Sequence, residues 1–171
     1  MTLNENFAMG GAQRSNLGAM SYTNAEAREQ LLGDVGLATD QIAQALACLG
    51  EAYEQLDERS GEQLEQGLFR PVQLAYGKAQ RTHTEFAGRY GFPSRSFPPA
   101  SPGLQSQSVS ELIAHAVQAA GQADQAIAGL QDSMLPVEVG DAELRAGLSQ
   151  VREQLAVVPL RARELLRVVG R

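Results

Sequence analysis

The stretch that decides the fold runs from Asn24 to Glu58 and reads NAEAREQLLGDVGLATDQIAQALACLGEAYEQLDE. Its apolar residues recur in alternating steps of four and three, which places them on one face of a helix that turns every 3.6 residues. The members of this face are Val35, Ile42, Leu49 and Leu56, with Leu31, Ala38, Ala45 and Ala52 beside them and Leu32, Leu46 and Tyr53 at the margins. A helix with such a face needs partners that bury it, so the pattern predicts a protein built from packed helices.

Capping signals predict where this first helix begins. Thr23 and Glu26 have the spacing of a capping box, so helix 1 is predicted to start at about Asn24. Residues 1–22 show no apolar period and contain glycine, asparagine and serine throughout. Because such a segment cannot bury an apolar face, it is predicted to be a disordered N-terminal tail.

The second helix carries an equally regular apolar face. It consists of Leu68, Phe69, Val72, Tyr76, Ala79, His83, Phe86 and Tyr90. Ser60 and Gln63 have capping-box spacing next to Gly61, which predicts a turn near residues 59–61 and a kink at Pro71. The alternative is a break at residues 67–71, with Pro71 opening helix 2.

A proline-rich linker follows, at residues 91–107, with four prolines and four serines and no apolar period. In extended polyproline geometry, at about 3.1 Å per residue, it could reach roughly 50 Å, enough to run the length of a helical bundle. The two helices after it therefore need not continue a simple up-and-down order.

The C-terminal part predicts a second helical hairpin. Ser108 and Glu111 have capping-box spacing for helix 3, residues 136–140 form a short loop, and Asp141 caps helix 4. Pro159 is expected to kink helix 4, because proline removes a backbone hydrogen bond. The apolar faces are Val109, Ile113, Ala116, Ala120, Ala123, Ile127, Leu130 and Met134 in helix 3, and Leu144, Leu148, Val151, Leu155, Val158, Ala162, Leu165 and Val169 in helix 4.

Together these signals predict an all-α protein, a four-helix bundle of two helical hairpins joined by a Pro/Ser-rich linker. The hairpins are residues 23–90 and 108–171, and residues 23–171 form one domain. Helices 1 and 3 are predicted to pack against each other, because alanines on both faces permit close approach. They are Ala38, Ala45 and Ala52 on helix 1, and Ala116, Ala120 and Ala123 on helix 3.

Composition restricts the partners. The net charge of −6 disfavours nucleic acid, which is bound by neutralising its phosphates. The sequence has no apolar run of the roughly 20 residues that span a bilayer, and residues 1–21 lack the features of a secretory signal. The single cysteine, Cys48, is compatible with a reducing compartment. The sequence thus predicts a cytoplasmic protein without membrane insertion.

His83 is the most suggestive residue for chemistry. It lies on an otherwise apolar face, seven residues from Tyr76 and from Tyr90. One hypothesis is a ligand- or metal-binding pocket of His83, Tyr76, Tyr53 and Tyr90 inside the bundle. The alternative is a neutral core histidine bonded to a carbonyl or a tyrosine, with Tyr53 of helix 1 as a candidate.

Other candidate residues indicate no catalytic, cofactor or metal site. Glu111 and His115 are four apart, as two metal ligands on one helix can be, but both project away from the apolar face of helix 3. Cys48 lies beside the apolar face of helix 1 and is interpreted as a small packed thiol rather than a nucleophile. No cofactor is predicted.

The N-terminal hairpin resembles small, uncharacterised helical-hairpin proteins of actinobacteria. The resemblance covers residues 24–90 and rests on the heptads of Leu31 to Leu56, on GLFRPVQ at residues 67–73, and on the helix that ends in Phe86 to Tyr90. It implies a fold and a source but no activity. A comparison with type VII secretion substrates lacks their WxG turn, because the chain contains no tryptophan.

The predicted function is therefore non-catalytic. The protein is expected to act through association with itself or with another helical protein, because sustained heptads also pair between chains. The alternatives are a ligand- or metal-binding bundle centred on His83 and a secretion-linked helical effector or adaptor.

Overall fold

The computed structural model describes residues 12–139 and 141–169, with side chains from Asn24 onward. All regular structure in these residues is helical, which confirms the predicted all-α class. The helices are α1 (Ala12–Glu54), α2 (Glu58–Leu64), α3 (Arg70–Arg89), α4 (Val109–Asp132), α5 (Leu135–Glu138), α6 (Ala142–Leu155) and α7 (Val158–Val169). A π-helical segment, Glu65–Phe69, joins α2 to α3. Within the described part of the chain, no helix is both long enough and apolar enough to cross a membrane.

Helix α1 begins earlier than predicted. It starts at Ala12 rather than near Asn24, so residues 12–22 of the predicted tail are helical, and Met1–Gly11 lie outside the described residues. Residues 12–22 contain no proline and include alanine, leucine, methionine, glutamine and arginine, all of which favour helix. The helix therefore continues through Thr23, and the predicted cap lies within it.

The turn after α1 also differs from the prediction of residues 59–61. Helix α1 ends at Glu54, and Asp57 caps α2 by accepting a hydrogen bond from the Ser60 N–H at 2.9 Å. Gly61 is buried inside α2, where a Cβ atom would lie 3.2 Å from Tyr53 Cε2. The N-cap of α2 is therefore Asp57, whereas the sequence predicted Ser60. The turn lies at residues 55–57, before the predicted residues 59–61.

Pro71 distorts its helix without breaking it. The ring of a proline clashes with the carbonyl four residues earlier and has no N–H to donate. The wider π-helical turn lies directly before Pro71, and the Arg70 N–H donates to the Glu65 carbonyl, five residues back. The predicted distortion is present in this form, whereas the alternative break at residues 67–71 is wrong.

The C-terminal boundaries follow the prediction closely. Ser108 and Glu111 form a complete capping box at α4, and Asp141 caps α6 by accepting from the Leu144 N–H. The short helix α5 occupies most of the predicted loop. Near Pro159 the predicted kink is a full interruption, because residues 156–157 separate α6 from α7.

The core lies among α1, α3, α4 and α6. The contact between α1 and α4 is the most extensive one between described helices, which confirms the predicted pairing of helices 1 and 3. The six alanines that predicted this pairing are all buried. Helix α3 packs on α6 and on α1, and the ion pair between Arg89 and Asp141 shows that α3 ends where α6 begins.

The chain between α3 and α4, residues 92–108, contains no helix and lies along the outside of α1. We call it the strap. It contacts α1 through Arg95 with Asp40 and through Ser101 with Gln44, and it contacts Gln55, the residue after α1, through Gln107. From Asp40 to Gln55 these contacts span about 22 Å along the helix axis. The strap thus carries the chain to the C-terminal end of α1, from which α4 runs back antiparallel to it.

Candidate functional site

His83 lies at the contact of α3, α1 and the strap. Its side chain is 3% exposed. Gly36 of α1 lies beside it: a Cβ atom there would be in ordinary contact with His83 Nε2, at 3.5 Å, but only 2.7 Å from Arg95 Nη1. Phe97 of the strap meets the imidazole edge-on, with ring centroids 5.1 Å apart and planes at 89°. The site is therefore completed by a segment that has no secondary structure of its own.

The environment of His83 favours the neutral imidazole. Burial lowers the pKa of His83, and the positive charge of Arg95 lowers it further, while the Leu32 carbonyl and Asp40 oppose these effects. Nδ1 is buried and has no hydrogen-bond partner among the described residues. A proton added there would create a buried charge without an acceptor, which is costly.

Tyr76 belongs to the same site through Phe97. Its hydroxyl donates to the Phe97 carbonyl at 3.4 Å, and burial, followed by the charge of Asp40, raises the pKa of Tyr76. Arg95 lies 4.8 Å from the centroid of the Phe97 ring and forms an ion pair with Asp40 at 2.5 Å. These contacts attach the start of the strap to both α1 and α3.

Tyr53 and Tyr90 lie elsewhere, so the structure does not assemble the predicted four-residue pocket. Tyr53 is 17 positions from Gly36, about 25 Å along α1, and the predicted bond between Tyr53 and His83 is therefore wrong. Tyr90 lies at the end of α3, beneath Arg28 at 4.1 Å and beside Phe86. Of the three tyrosines, only Tyr76 shares a contact with His83.

Sequence reasoning missed Gly36, Asp40, Arg95 and Phe97. The first two lie outside the apolar face of helix 1, and the other two lie in a segment without a period. The composition of the linker could have indicated Arg95 and Phe97. Within residues 91–107, Arg95 is the only charged residue, and Phe92 and Phe97 are the only aromatic ones.

A second site, at the far end of the strap, is a cleft of about 480 Å³ lined by Cys48, Gln107, Glu111 and His115 among others. Its polar groups already have structural partners: Glu111 accepts from the Ser108 N–H at 2.8 Å, and His115 Nδ1 lies 2.5 Å from Gln107 Oε1. Burial raises the pKa of the Cys48 thiol, which keeps it protonated. In the part of the chain that the structure describes, no three His, Cys, Asp or Glu side chains are placed to hold a metal ion.

A third feature is a groove of about 300 Å³ between the end of α1 and the π-helical segment. We call it the Tyr53 groove; its lining is Gly50, Tyr53, Glu54, Glu65 and Phe69. Tyr53 is 43% exposed, which corrects its predicted place in the core, because its ring packs over Gly61 instead. Residues 51–66 contain six acidic side chains and one basic one, so the surroundings of the groove are strongly negative.

The chain matches no protein-family model, and comparisons with curated proteins and with solved structures give no significant match. The resemblance to actinobacterial helical-hairpin proteins therefore stays a prediction.

Proposed function

We propose that the protein is a non-catalytic four-helix bundle, two helical hairpins joined by the strap, that acts by associating with itself or with another helical protein. The observation that supports this proposal best is the Tyr53 groove, an aromatic groove with an acidic rim at the α1–α2 end of the molecule. The cytoplasmic location predicted from the sequence is part of the proposal.

The groove has the composition of a contact surface. Tyrosine is enriched among residues that dominate binding energy, because its ring provides apolar area and its hydroxyl provides a polar contact. Here the Tyr53 ring is held over Gly61 and lies beside the half-buried Phe69. Glu54 and Glu65 also line this groove. A helix that presents one apolar side chain flanked by arginine or lysine is the complementary partner.

This chain contains such a helical surface. On the outer face of α3, Leu74 is 54% exposed, and Arg70, Lys78 and Arg81 lie within about two turns of it. None of these three basic side chains forms an ion pair with a described residue. A second copy is therefore the first occupant to test. Because the groove and the α3 surface are different patches, the contact would be head-to-tail.

Sedimentation velocity over a range of protein concentrations tests the proposal. We expect a mass above that of the monomer that rises with concentration. Tyr53→Ala should weaken the association at least about fivefold, as expected for truncation of a residue worth more than 1 kcal/mol.

Leu37→Ala is the matched control, because Leu37 is an apolar side chain on the same helix that is 65% exposed outside the groove. It should associate as the wild type does. A wild type that stays monomeric at every concentration would contradict self-association. A Tyr53→Ala variant that associates like the wild type would contradict the role of the groove.

A further inference from the structure

We propose that the strap is a pH-controlled cover of α1, docked while His83 is neutral and released when His83 gains a proton. This inference does not depend on the association proposed above. It rests on the position of a buried, titratable side chain directly beneath the strap.

His83 is buried, and its Nδ1 atom lacks a partner among the described residues. The His83 ring is enclosed between Gly36 of α1 and Phe97 of the strap. A protonated imidazole has two N–H donors and a full charge. With the strap docked, the added donor would have no acceptor, whereas release of the strap would admit water.

The charged groups around His83 belong to the strap and to α1. From the strap, Arg95 adds a positive charge that repels a protonated His83. From α1, Asp40 attracts it, but this carboxylate is already paired with Arg95. From α3 itself, the nearby titratable group is the neutral phenol of Tyr76, whose hydroxyl is engaged by the Phe97 carbonyl. The strongest anchor of the strap is thus also a group that disfavours the charged histidine.

The strap is attached weakly enough to be released while the helices stay folded. Beyond Phe97 its hydrogen bonds to α1 and to the residue after α1 are single ones, from Gln44, Gln55 and the thiol of Cys48, the last a long bond of 3.9 Å to the Pro102 carbonyl. Leu104 at its centre is exposed. Of its aliphatic and aromatic residues only Phe92, at its start, packs against the buried core, so release of the rest of the strap need not unfold the helices.

The direction of the pH effect follows from linkage. Docking lowers the pKa of His83, while in the released state the side chain regains its ordinary pKa of about 6.5. The released state therefore binds more protons, and docking weakens as the pH falls below about 6.5. Between pH 7.5 and 5.0 the ratio of released to docked strap should rise by up to about 30-fold.

A single fluorophore can report the release. The chain has no tryptophan, so Phe97→Trp places a unique tryptophan on the strap against His83. We expect its emission maximum to shift to the red as the pH falls, with a midpoint below about 6.5, while far-ultraviolet circular dichroism stays constant. The matched control is Phe97→Trp combined with His83→Leu, which cannot gain a proton and should show no shift.

Three results would overturn the proposal. They are a constant emission maximum in Phe97→Trp, an equal shift in the His83→Leu control, or a loss of helical signal that accompanies the shift. NMR of the unmodified protein keeps the test decisive if a variant fails to fold. The side-chain amide of Gln44, which donates to the Ser101 carbonyl at 2.8 Å, should move towards the chemical shift of a solvated glutamine between pH 7.5 and pH 5.5, while hydrogen exchange of the α1 and α4 amides stays slow. An unchanged Gln44 side-chain resonance would also contradict the proposal.

Discussion

At the scale of single residues, the contact between α3 and α6 depends on a glycine. A Cβ atom at Gly147 would lie 2.8 Å from Thr82 Cγ2 and would also meet Thr82 Oγ1. Thr82 is buried, so its side chain has little room to move away. The absence of a side chain at Gly147 therefore sets how closely the two helices approach.

Gly147→Ala should destabilise the protein even though alanine favours helix. Overpacking costs about 1–3 kcal/mol and the higher helix propensity returns about 1 kcal/mol, so we expect a net loss of up to about 2 kcal/mol in the free energy of unfolding. Urea denaturation followed by circular dichroism measures it, and adding Thr82→Ala should recover much of the loss.

Gly121→Ala on α4 is the matched control: no described atom lies within 4 Å of its added Cβ, and it should gain up to about 1 kcal/mol. Equal stability of the two alanine variants would contradict the close contact.

The same scale shows why the surroundings of His83 could not be predicted. Helical periodicity indicates which side chains face inward, and it placed His83 correctly inside. It does not indicate which residue of another segment will lie opposite. Phe97 reaches His83 from a stretch without periodicity, and the space left by the missing side chain of Gly36 admits Arg95 of the same stretch.

At the scale of helices, three capping-box spacings in the sequence had three different outcomes. Ser108 caps α4, Thr23 lies within α1, and Ser60 is itself held by Asp57 at the start of α2. The residues before Ser108 belong to a proline-rich segment that cannot be helical, whereas those before Thr23 favour helix. A capping residue thus marks a helix start only where the preceding chain cannot continue the helix.

Ser108→Ala should remove the side-chain hydrogen bond of this cap and keep the one that the backbone N–H of residue 108 donates to Glu111. Ser108 Oγ accepts from the Glu111 N–H at 3.2 Å, and loss of such a cap costs typically about 1 kcal/mol. The exposed Ser110, within the first turn of α4, provides a control of the same chemistry. Ser110→Ala should be neutral or slightly stabilising, by up to about 0.5 kcal/mol, because alanine favours helix. Chemical denaturation of both variants measures the difference, and similar losses in the two would contradict a specific role for the cap.

At the scale of the whole molecule, the two halves of the chain are joined by an ion pair whose carboxylate is buried. Asp141, 4% exposed, accepts from Arg89 Nε at 3.0 Å and from Arg89 Nη2 at 2.7 Å, and it also caps α6 through the Leu144 N–H. Burial by itself would raise the pKa of Asp141, but the hydrogen bonds from Arg89 and Leu144 outweigh burial and hold the pKa below its ordinary value. One carboxylate thus fixes the end of α3 to the start of α6.

This carboxylate predicts the acid sensitivity of the fold. Because the pKa of Asp141 is lower in the folded state, its contribution is fully present above the unfolded value of about 3.9 and is lost as the pH falls through the folded pKa. Asp141→Asn should lower the free energy of unfolding at pH 7 by on the order of 2 kcal/mol, the usual range for hydrogen bonds to a charged group. The difference from the wild type should shrink below pH 4. Glu143→Gln, which removes the exposed partner of Arg89, should change little, and a pH-independent difference for Asp141→Asn would contradict this account.

The all-α class and the pairing of α1 with α4 could be predicted from sequence because both depend on spacing and on side-chain size. The predicted reach of the proline-rich segment allowed a path along the molecule, but its path over α1 depends on Asp40, Gln44 and Gln55. Polar positions of this kind belong to no apolar face. Their role depends on which other segment of the chain packs beside them.

The length of the strap fixes the polarity of the second half of the chain. Helix α3 finishes near the N-terminal part of α1, and α4 starts beside its C-terminal end. If residues 92–108 were too few to reach from the end of α3 to the C-terminal end of α1, α4 would have to start beside the N-terminal part of α1. It would then run parallel to α1 instead of antiparallel. Its alanine surface would then meet α1 in reverse order, with large and small side chains no longer matched. Deletions here would therefore act as a change of topology, whereas deletions in an ordinary surface loop would not.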